Sequence, residues 1–379
     1  MQIMAIMAIF FTSMGVAAVS PAMAKFAAHF KGYNYALIST MPTLFVVPTT
    51  LWAGSVAGTK VKYKTLSLVG IILFIAGGIL PFFITNSFWF LIFCRALFGI
   101  GAGLRSALGN ALIIQLLPEE KQPAYLGYGT LVSNFGGIVF QMAGGALAEI
   151  SWNYTFLAYL FGFLSLALWF FQPEPQEVKI DENKKLKGGK LPLAVFVLAL
   201  VFLVYSLLNY PTMMNMSLIF ESRNAGGSTM AATALSLYTV GGCVTGLLFG
   251  QVFRMFRRFT ISIGLFISAF GAFLIFVGTN AVVLCAGSIL IGMGASLTTP
   301  GLYNLLSQYV EPHVSALAIS ICMAANSLGG FICPYYLNLV KGIVGESLFT
   351  TVFLEAALFA LIGVLFIVIN PYPRRKNNA

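Results

Sequence analysis

Gly99-Ile100-Gly101-Ala102-Gly103-Leu104 and Gly292-Met293-Gly294-Ala295-Ser296-Leu297 say nearly the same thing about 190 residues apart. Three further pairs keep the same order at nearly the same offset. Ser20-Pro21-Ala22-Met23 with Phe30 is echoed by Tyr210-Pro211-Thr212-Met213 with Phe220. Gly54-Ser55-Val56-Ala57-Gly58, running into Lys60, Lys62 and Lys64, is echoed by Gly246-Leu247-Leu248-Phe249-Gly250, running into Arg254, Arg257 and Arg258. Asn134-Phe135-Gly136-Gly137 is echoed by Asn326-Ser327-Leu328-Gly329-Gly330. A tandem repeat of this length, apolar throughout, implies two similar membrane bundles with a site for cargo between them.

Composition supports that solvent. Charged residues make up 8% of the chain and hydrophobic ones 59%, with a mean hydropathy of +0.91. Soluble chains carry charge at about a quarter of their positions, so the medium for this surface is lipid. The net charge of +10 does not point to nucleic acid, because the basic residues fall in short clusters between apolar runs. The five cysteines (Cys94, Cys243, Cys285, Cys322, Cys333) all lie in apolar segments, an odd and scattered set that reads as packing. The first stretch lacks a basic leader and a cleavage site, so no signal peptide is expected.

Twelve runs are long enough to cross a bilayer as helices: 3–24, 36–57, 65–84, 88–115, 124–147 and 153–171, then 192–218, 229–251, 259–277, 281–306, 314–338 and 348–370. A barrel would alternate apolar and polar residues, and these runs do not. The expected class is therefore an all-α polytopic membrane protein of twelve transmembrane helices in two pseudo-symmetric six-helix bundles. The divisions are a first bundle at 1–171, a polar linker at 172–190 and a second bundle at 191–379. With the N-terminus inside, the inner loops and tail hold fifteen Lys and Arg residues against four outside (Lys25, Lys31, Arg223, Lys341). That bias places both termini in the cytoplasm of a multi-pass protein of the cytoplasmic membrane.

The arrangement resembles the major facilitator superfamily along essentially the whole chain. Its most specific match is Leu91-Ile92-Phe93-Cys94-Arg95-Ala96-Leu97-Phe98-Gly99-Ile100-Gly101-Ala102, similar to that family's arginine-and-glycine motif of the fourth span. The loop after span two keeps Gly54 and a basic tail, but Gly58 and Thr59 stand where the family prefers Asp and Arg. Gly136, Gly144 and Gly145 resemble the antiporter motif of span five, although Phe140 and Gln141 replace its Gly-Pro. The resemblance implies alternating access and a gating role for the loops with Gly54, Gly58, Lys60, Lys62 and Lys64, and with Gly246, Gly250 and Arg254. It also implies a peripheral span twelve, which makes Glu355 an outer-leaflet snorkelling or pairing residue.

Arg95 and Arg105 carry the sharpest chemistry. An arginine in hydrocarbon costs several kcal/mol, so it faces a cavity or a partner. Ten residues of helix put the two about 15 Å and about 80° apart, able to border one cavity. Matching positions in the second half are uncharged, and an arginine fork suits a carboxylate or another small oxyanion. Arg95 reads equally well as a structural residue bonded to backbone carbonyls. Gly99 and Gly103, like Gly144 and Gly145, offer small-residue seams for helix packing. Pro21 and Pro211 invite paired kinks. Asn134, Gln141, Asn209, Tyr210, Asn215, Tyr303 and Asn326 are the polar candidates for holding cargo, each also able to serve as helix glue.

No Asp or Glu occurs in spans one, two, four, seven, eight, ten or eleven, which leaves little for a carboxylate proton relay. The glycine run follows no strand and there is no Walker loop, so neither a dinucleotide nor ATP is expected. His29 and His313 fall at opposite faces. The expectation is a non-enzymatic secondary transporter of a small organic solute, best a small organic anion, with no cofactor and no metal. Its partners are the substrate, membrane lipids and a coupling proton or counter-anion; it takes no nucleic acid and acts as a monomer. The alternatives are proton-driven efflux of hydrophobic or drug-like compounds, and a non-transporting sensor of the same fold.

Overall fold

A computed structural model describes residues 2–57, 60–116, 122–170, 192–310, 315–344 and 347–372. In hydrocarbon every backbone N–H and C=O must be satisfied within its own segment, and these residues answer with helices. The elements are α1 (Gln2–Ser13), a 3-10 stretch (Gly15–Ala22), α2 (Met23–His29), α3 (Leu37–Val56), α4 (Tyr63–Phe83), α5 (Phe88–Leu116) and α6 (Gln122–Ile150). A second 3-10 stretch (Trp152–Leu160) leads into α7 (Phe161–Phe170), followed by α8 (Leu193–Ser222) and α9 (Ser228–Phe256). A short 3-10 turn (Arg257–Phe259) then leads into α10 (Thr260–Val277), α11 (Ala281–Ser307), α12 (Ser315–Val344) and α13 (Leu348–Ile369). Every apolar run marked in the sequence is helical where it is described.

Among the described residues ten stretches are long and apolar enough to cross a membrane; one of them, Ser228–Val277, holds two helices, and Leu37–Ala53 is a shorter apolar helix. Leu193, Leu247, Val282 and Val368 are each at least three-quarters exposed. Apolar surface on that scale needs lipid around it.

The chain divides into two compact units, Met1–Ile180 with Met213–Ser236, and Asp181–Thr212 with Leu237–Ala379. The division differs from one at 172–190, because the last turns of α8 and the first turns of α9 count with the first unit. The linker itself lies outside the described residues.

The first unit is centred on an aromatic cluster. Phe74 lies 4.6 Å from Phe98 and 5.5 Å from Tyr159, with Phe140 6.2 Å away. Helices come close enough to build it because Gly77 of α4 lies against α5. A Cβ there would stand 2.5 Å from Cys94 O and Phe98 N. The second unit has its own core of Val195, Phe202, Ile261, Leu302, Cys322 and Phe359. Its α11 is capped by Asn280, whose side chain accepts the Val283 N–H at 3.0 Å.

The paired prolines part company. Pro21 sits in the 3-10 stretch that interrupts the first span, whereas Pro211 lies inside an unbroken α8. The first break coincides with close packing: Gly136 and Gly144 of α6 abut the carbonyls of Phe11 and Ala18. On α8 the glycines of α12 meet side chains first, Gly329 at Ser206 and Gly330 at the Tyr210 ring.

Candidate functional site

α5 carries both buried arginines, and each is 0 to 1% exposed. Arg95 donates from Nε to Ile38 O (2.8 Å) and from Nη1 to Tyr159 Oη (3.0 Å). Its guanidinium lies 4.4 Å above the Phe98 ring. Nη2 has no hydrogen-bond partner among the described residues. Arg105 donates from Nε to Gly101 O (3.3 Å), from Nη1 to Thr12 Oγ1 and from Nη2 to Thr12 O (3.3 Å), with Phe74 4.0 Å beneath it.

Arg95 thus ties α5 to the start of α3 and to the second 3-10 stretch, and Arg105 ties α5 to α1. The chain wraps each guanidinium in carbonyls, hydroxyls and ring faces, because a bare charge in hydrocarbon is too costly. Every hydrogen-bond acceptor is neutral. Two positive charges therefore sit inside this unit with no carboxylate against either among the described residues.

The glycine seam of α5 faces α3. A Cβ on Gly99 would stand 2.6 Å from Pro42 O, and one on Gly103 2.6 Å from Val46 O. Gly144 abuts Ala18 O of the first 3-10 stretch, and Gly145 faces α9, where a Cβ would meet Ala232 Cβ at 2.5 Å. That last approach aligns a ladder of contacts. Gln141 Oε1 accepts from Ser236 Oγ at 3.3 Å, and Glu149 Oε1 accepts the Thr229 N–H at 3.0 Å at the head of α9. Asn215 is buried on α8, while Asn134 is half-buried on α6.

In the second unit Asn209 Nδ2 donates to Tyr238 Oη at 3.3 Å, leaving Asn209 Oδ1 buried without a partner. One turn on, Thr212 Oγ1 donates to Glu355 Oε2 at 2.5 Å. Glu355 is 3% exposed, so of the two readings, snorkelling or pairing, its contact with Thr212 fits pairing. α13 turns this carboxyl towards α8 because Thr212 supplies a hydroxyl where lipid supplies none. Tyr210 packs its ring against Gly330, and Tyr303 lies 4.7 Å from Phe202. Asn326 is half-buried on α12.

Of the loop residues, Lys60, Lys62 and Arg254 are exposed, Lys64 is half-buried and Gly54 lies in the last turns of α3. Gly246 and Gly250 have nothing within 4 Å of a Cβ. Gly58 and His313 lie outside the described residues. His29 packs 4.5 Å from Trp152 and 4.7 Å from Phe30. No group of three metal-ligating side chains occurs among the described residues.

Thr12, Tyr159 and Thr212 are the partners that sequence reading missed. A hydroxyl in an apolar run gives no sign of which charge it will meet.

Comparison with known proteins agrees with this picture. The family model of the Major Facilitator Superfamily matches residues 5–253 and 198–379. An uncharacterized transporter of Schizosaccharomyces pombe (strain 972 / ATCC 24843) is 31% identical over 145 residues, which is 37% of this chain and 24% of that protein. The MFS transporter L2 of Phoma sp. (strain ATCC 20986 / MF5453) is 27% identical over 94 residues, 24% of this chain and 16% of that one. The matches thus span a quarter or less of these curated relatives. Among solved structures, the nucleoside transporter NupG superposes with a TM-score of 0.78 at 14% identity, covering 97% of this chain and 100% of that one. A D-xylose-proton symporter gives 0.73 at 15% identity, over 96% and 95%. At such identities the likeness is one of fold.

Proposed function

Because the chain belongs to the major facilitator superfamily, we propose that it is a secondary active transporter moving a small organic anion by alternating access. The proposal includes twelve crossings, two halves at 1–171 and 191–379 joined by a cytoplasmic linker, both termini inside, and a monomer. It includes Arg95 and Arg105 as the cargo-binding cations, with the polar candidates of α6, α8, α11 and α12 as hydrogen-bonding support.

One observation carries the anion: both arginines are buried against neutral acceptors, with no carboxylate among the described residues to balance them. An uncompensated charge pair in low dielectric attracts the counter-charge that an anionic solute brings. Access requires a different conformation, and α1 supplies a place for it to yield. The helix gives way to a 3-10 stretch at Gly15, three residues beyond the Thr12 that Arg105 holds. Short 3-10 segments within a span mark hinges in many proteins. Movement there would release Arg105 from Thr12 and turn its fork towards cargo.

The test is counterflow of a panel of organic anions into proteoliposomes containing wild type, Arg105→Met and Arg105→Lys. The expected result is saturable anion flux in wild type, none in the Met variant and partial recovery in the Lys variant. Full flux in the Met variant would reject the assignment. A sensor of the same fold would bind anions without carrying them, so measurable flux also separates that reading.

Proton-driven efflux of hydrophobic or drug-like compounds stands as the second reading. It gains from Glu355, a carboxyl held inside the second unit against Thr212 with no cation beside it among the described residues. Under that reading a pH gradient drives dye extrusion and Glu355→Gln abolishes it; extrusion indifferent to both counts against it.

A further inference from the structure

An apolar crevice of about 360 Å³ opens between α8, α10, α11 and α13 in the second unit. Val201, Val204, Leu265, Leu302, Leu365 and Phe366 are among its walls. Of its polar lining, Thr298 donates its hydroxyl to Gly294 O of its own helix (2.9 Å). Tyr309 Oη donates to Pro371 O, pinning the chain beyond α13 to the end of α11. Tyr205 is the other lining residue with a polar group, and the remaining walls are apolar, so the slot suits hydrocarbon.

The approach to the crevice has the opposite character. α9 ends in Arg254, and the 3-10 turn Arg257–Phe259 carries Arg257 and Arg258 before α10 begins. All three arginines are exposed. Ile261, within one helical turn of Arg257 and Arg258, already lines the crevice. Arg257 is held in the left-handed region at φ 43°, and Arg258 lies 4.7 Å over the Phe259 ring. The other two non-glycine residues with positive φ among those described are Asn224 and Asn370, a residue type that tolerates it. An arginine does so only where its surroundings enforce it.

We infer that this is a binding site for one anionic phospholipid from the leaflet on the basic-loop side. An acyl chain fills the crevice and the headgroup phosphate lies on Arg257 and Arg258. Basic clusters at the end of membrane helices attract acidic headgroups, and here hydrocarbon slot and basic rim are joined by a single turn of chain. Hydrocarbon alone would need no arginines, and phosphate alone would need no slot. A lipid seated this way holds α8, α10 and α13 together without entering the path of the cargo, so it does not depend on which solute is carried.

The test uses the full-length protein in detergent, titrated with phosphatidylglycerol, with phosphatidylcholine of the same chains, with free fatty acid and with inorganic phosphate. Bound lipid is counted by native mass spectrometry and stability read by thermal unfolding. Phosphatidylglycerol should bind tighter than phosphatidylcholine and raise the melting temperature more. Arg257→Ala with Arg258→Ala should cost phosphatidylglycerol about fivefold per arginine, about 25-fold for the pair, leaving the lipid-free melting temperature unchanged. Val204→Trp, or Leu365→Trp on the facing wall, should weaken both lipids alike by filling the slot. Equal binding of the two lipids by wild type, or undiminished phosphatidylglycerol binding in the arginine variant, would overturn the inference. So would a full stabilisation from phosphate or fatty acid alone, or lipid binding unaffected by both tryptophans.

Discussion

Replacing Gly103 by alanine should separate α5 from α3. A Cβ at that position stands 2.6 Å from Val46 O and 2.8 Å from Thr49 Cβ. The nearer atom is backbone, which no rotamer change can move aside. Real Cβ contacts begin beyond 3.0 Å, so the helices must part by at least 0.4 Å (3.0 less 2.6) at that point. Thr50, which donates to Gly103 O at 3.1 Å, is strained by the same shift. Overpacking of this kind costs about 1–3 kcal/mol, while alanine recovers about 1 kcal/mol over glycine as a helix former. With backbone meeting backbone the clash falls in the upper part of its range, leaving a net loss of about 1–2 kcal/mol. At about 2–4 °C per kcal/mol the melting temperature drops by several degrees. Gly250 provides the opposite case: nothing lies within 4 Å of a Cβ there, so only the helix-propensity gain of about 1 kcal/mol remains. Thermal unfolding in one detergent, followed by circular dichroism, should move the two variants in opposite directions. A Gly103→Ala protein as stable as wild type, or a Gly250→Ala protein less stable, would refute the packing argument.

Arg105→Met loses three hydrogen bonds but also removes a buried charge that lacks a counter-ion. The two effects offset, and stability should change by less than about 1.5 kcal/mol while anion counterflow disappears. Glu149→Gln keeps an acceptor for the Thr229 N–H and loses only the charge at the head of α9, worth about 0.3–1 kcal/mol. Glu149→Ala loses the acceptor as well, and hydrogen exchange at the first turn of α9 should speed up further in it than in the Gln variant. Tyr372, just beyond α13, has its hydroxyl pushed up to about 12 by burial. A folded value above the unfolded one, about 10, means its contribution is fully present below pH 10 and is lost as pH rises towards 12. Tyr372→Phe should flatten that alkaline limb in a pH series of melting temperatures and, since the hydroxyl has no hydrogen-bond partner, leave neutral-pH stability unchanged or raised.

The helices were legible because lipid removes the choices that water would leave open. Runs of about 20 apolar residues can satisfy their backbones only as helices. The seam of Gly99 and Gly103 was equally legible, since four-residue spacing puts small residues on one face wherever that face turns. The break in the first span was not. Pro21 suggested a kink, but the 3-10 stretch starts six residues earlier, at Gly15, where α6 presses its glycines onto the carbonyls of Phe11 and Ala18. The unbroken path of α8 through Pro211 was hidden for the same reason, because neighbours decide whether a missing hydrogen bond becomes a bend.

The sequence alone determined that this chain is helical, lipid-embedded and duplicated, because composition and periodicity are properties of a segment and its solvent. It also marked two arginines that would face a cavity or find partners, and one glutamate that would snorkel or pair. Only tertiary structure decided who those partners are. Thr12 and Gly101 serve Arg105, Ile38 and Tyr159 serve Arg95, and Thr212 serves Glu355. Three of these contacts join residues 64 to 143 positions apart. A charge in a low dielectric takes whichever oxygen the packing of other helices brings near, and nothing in its own segment says which that will be.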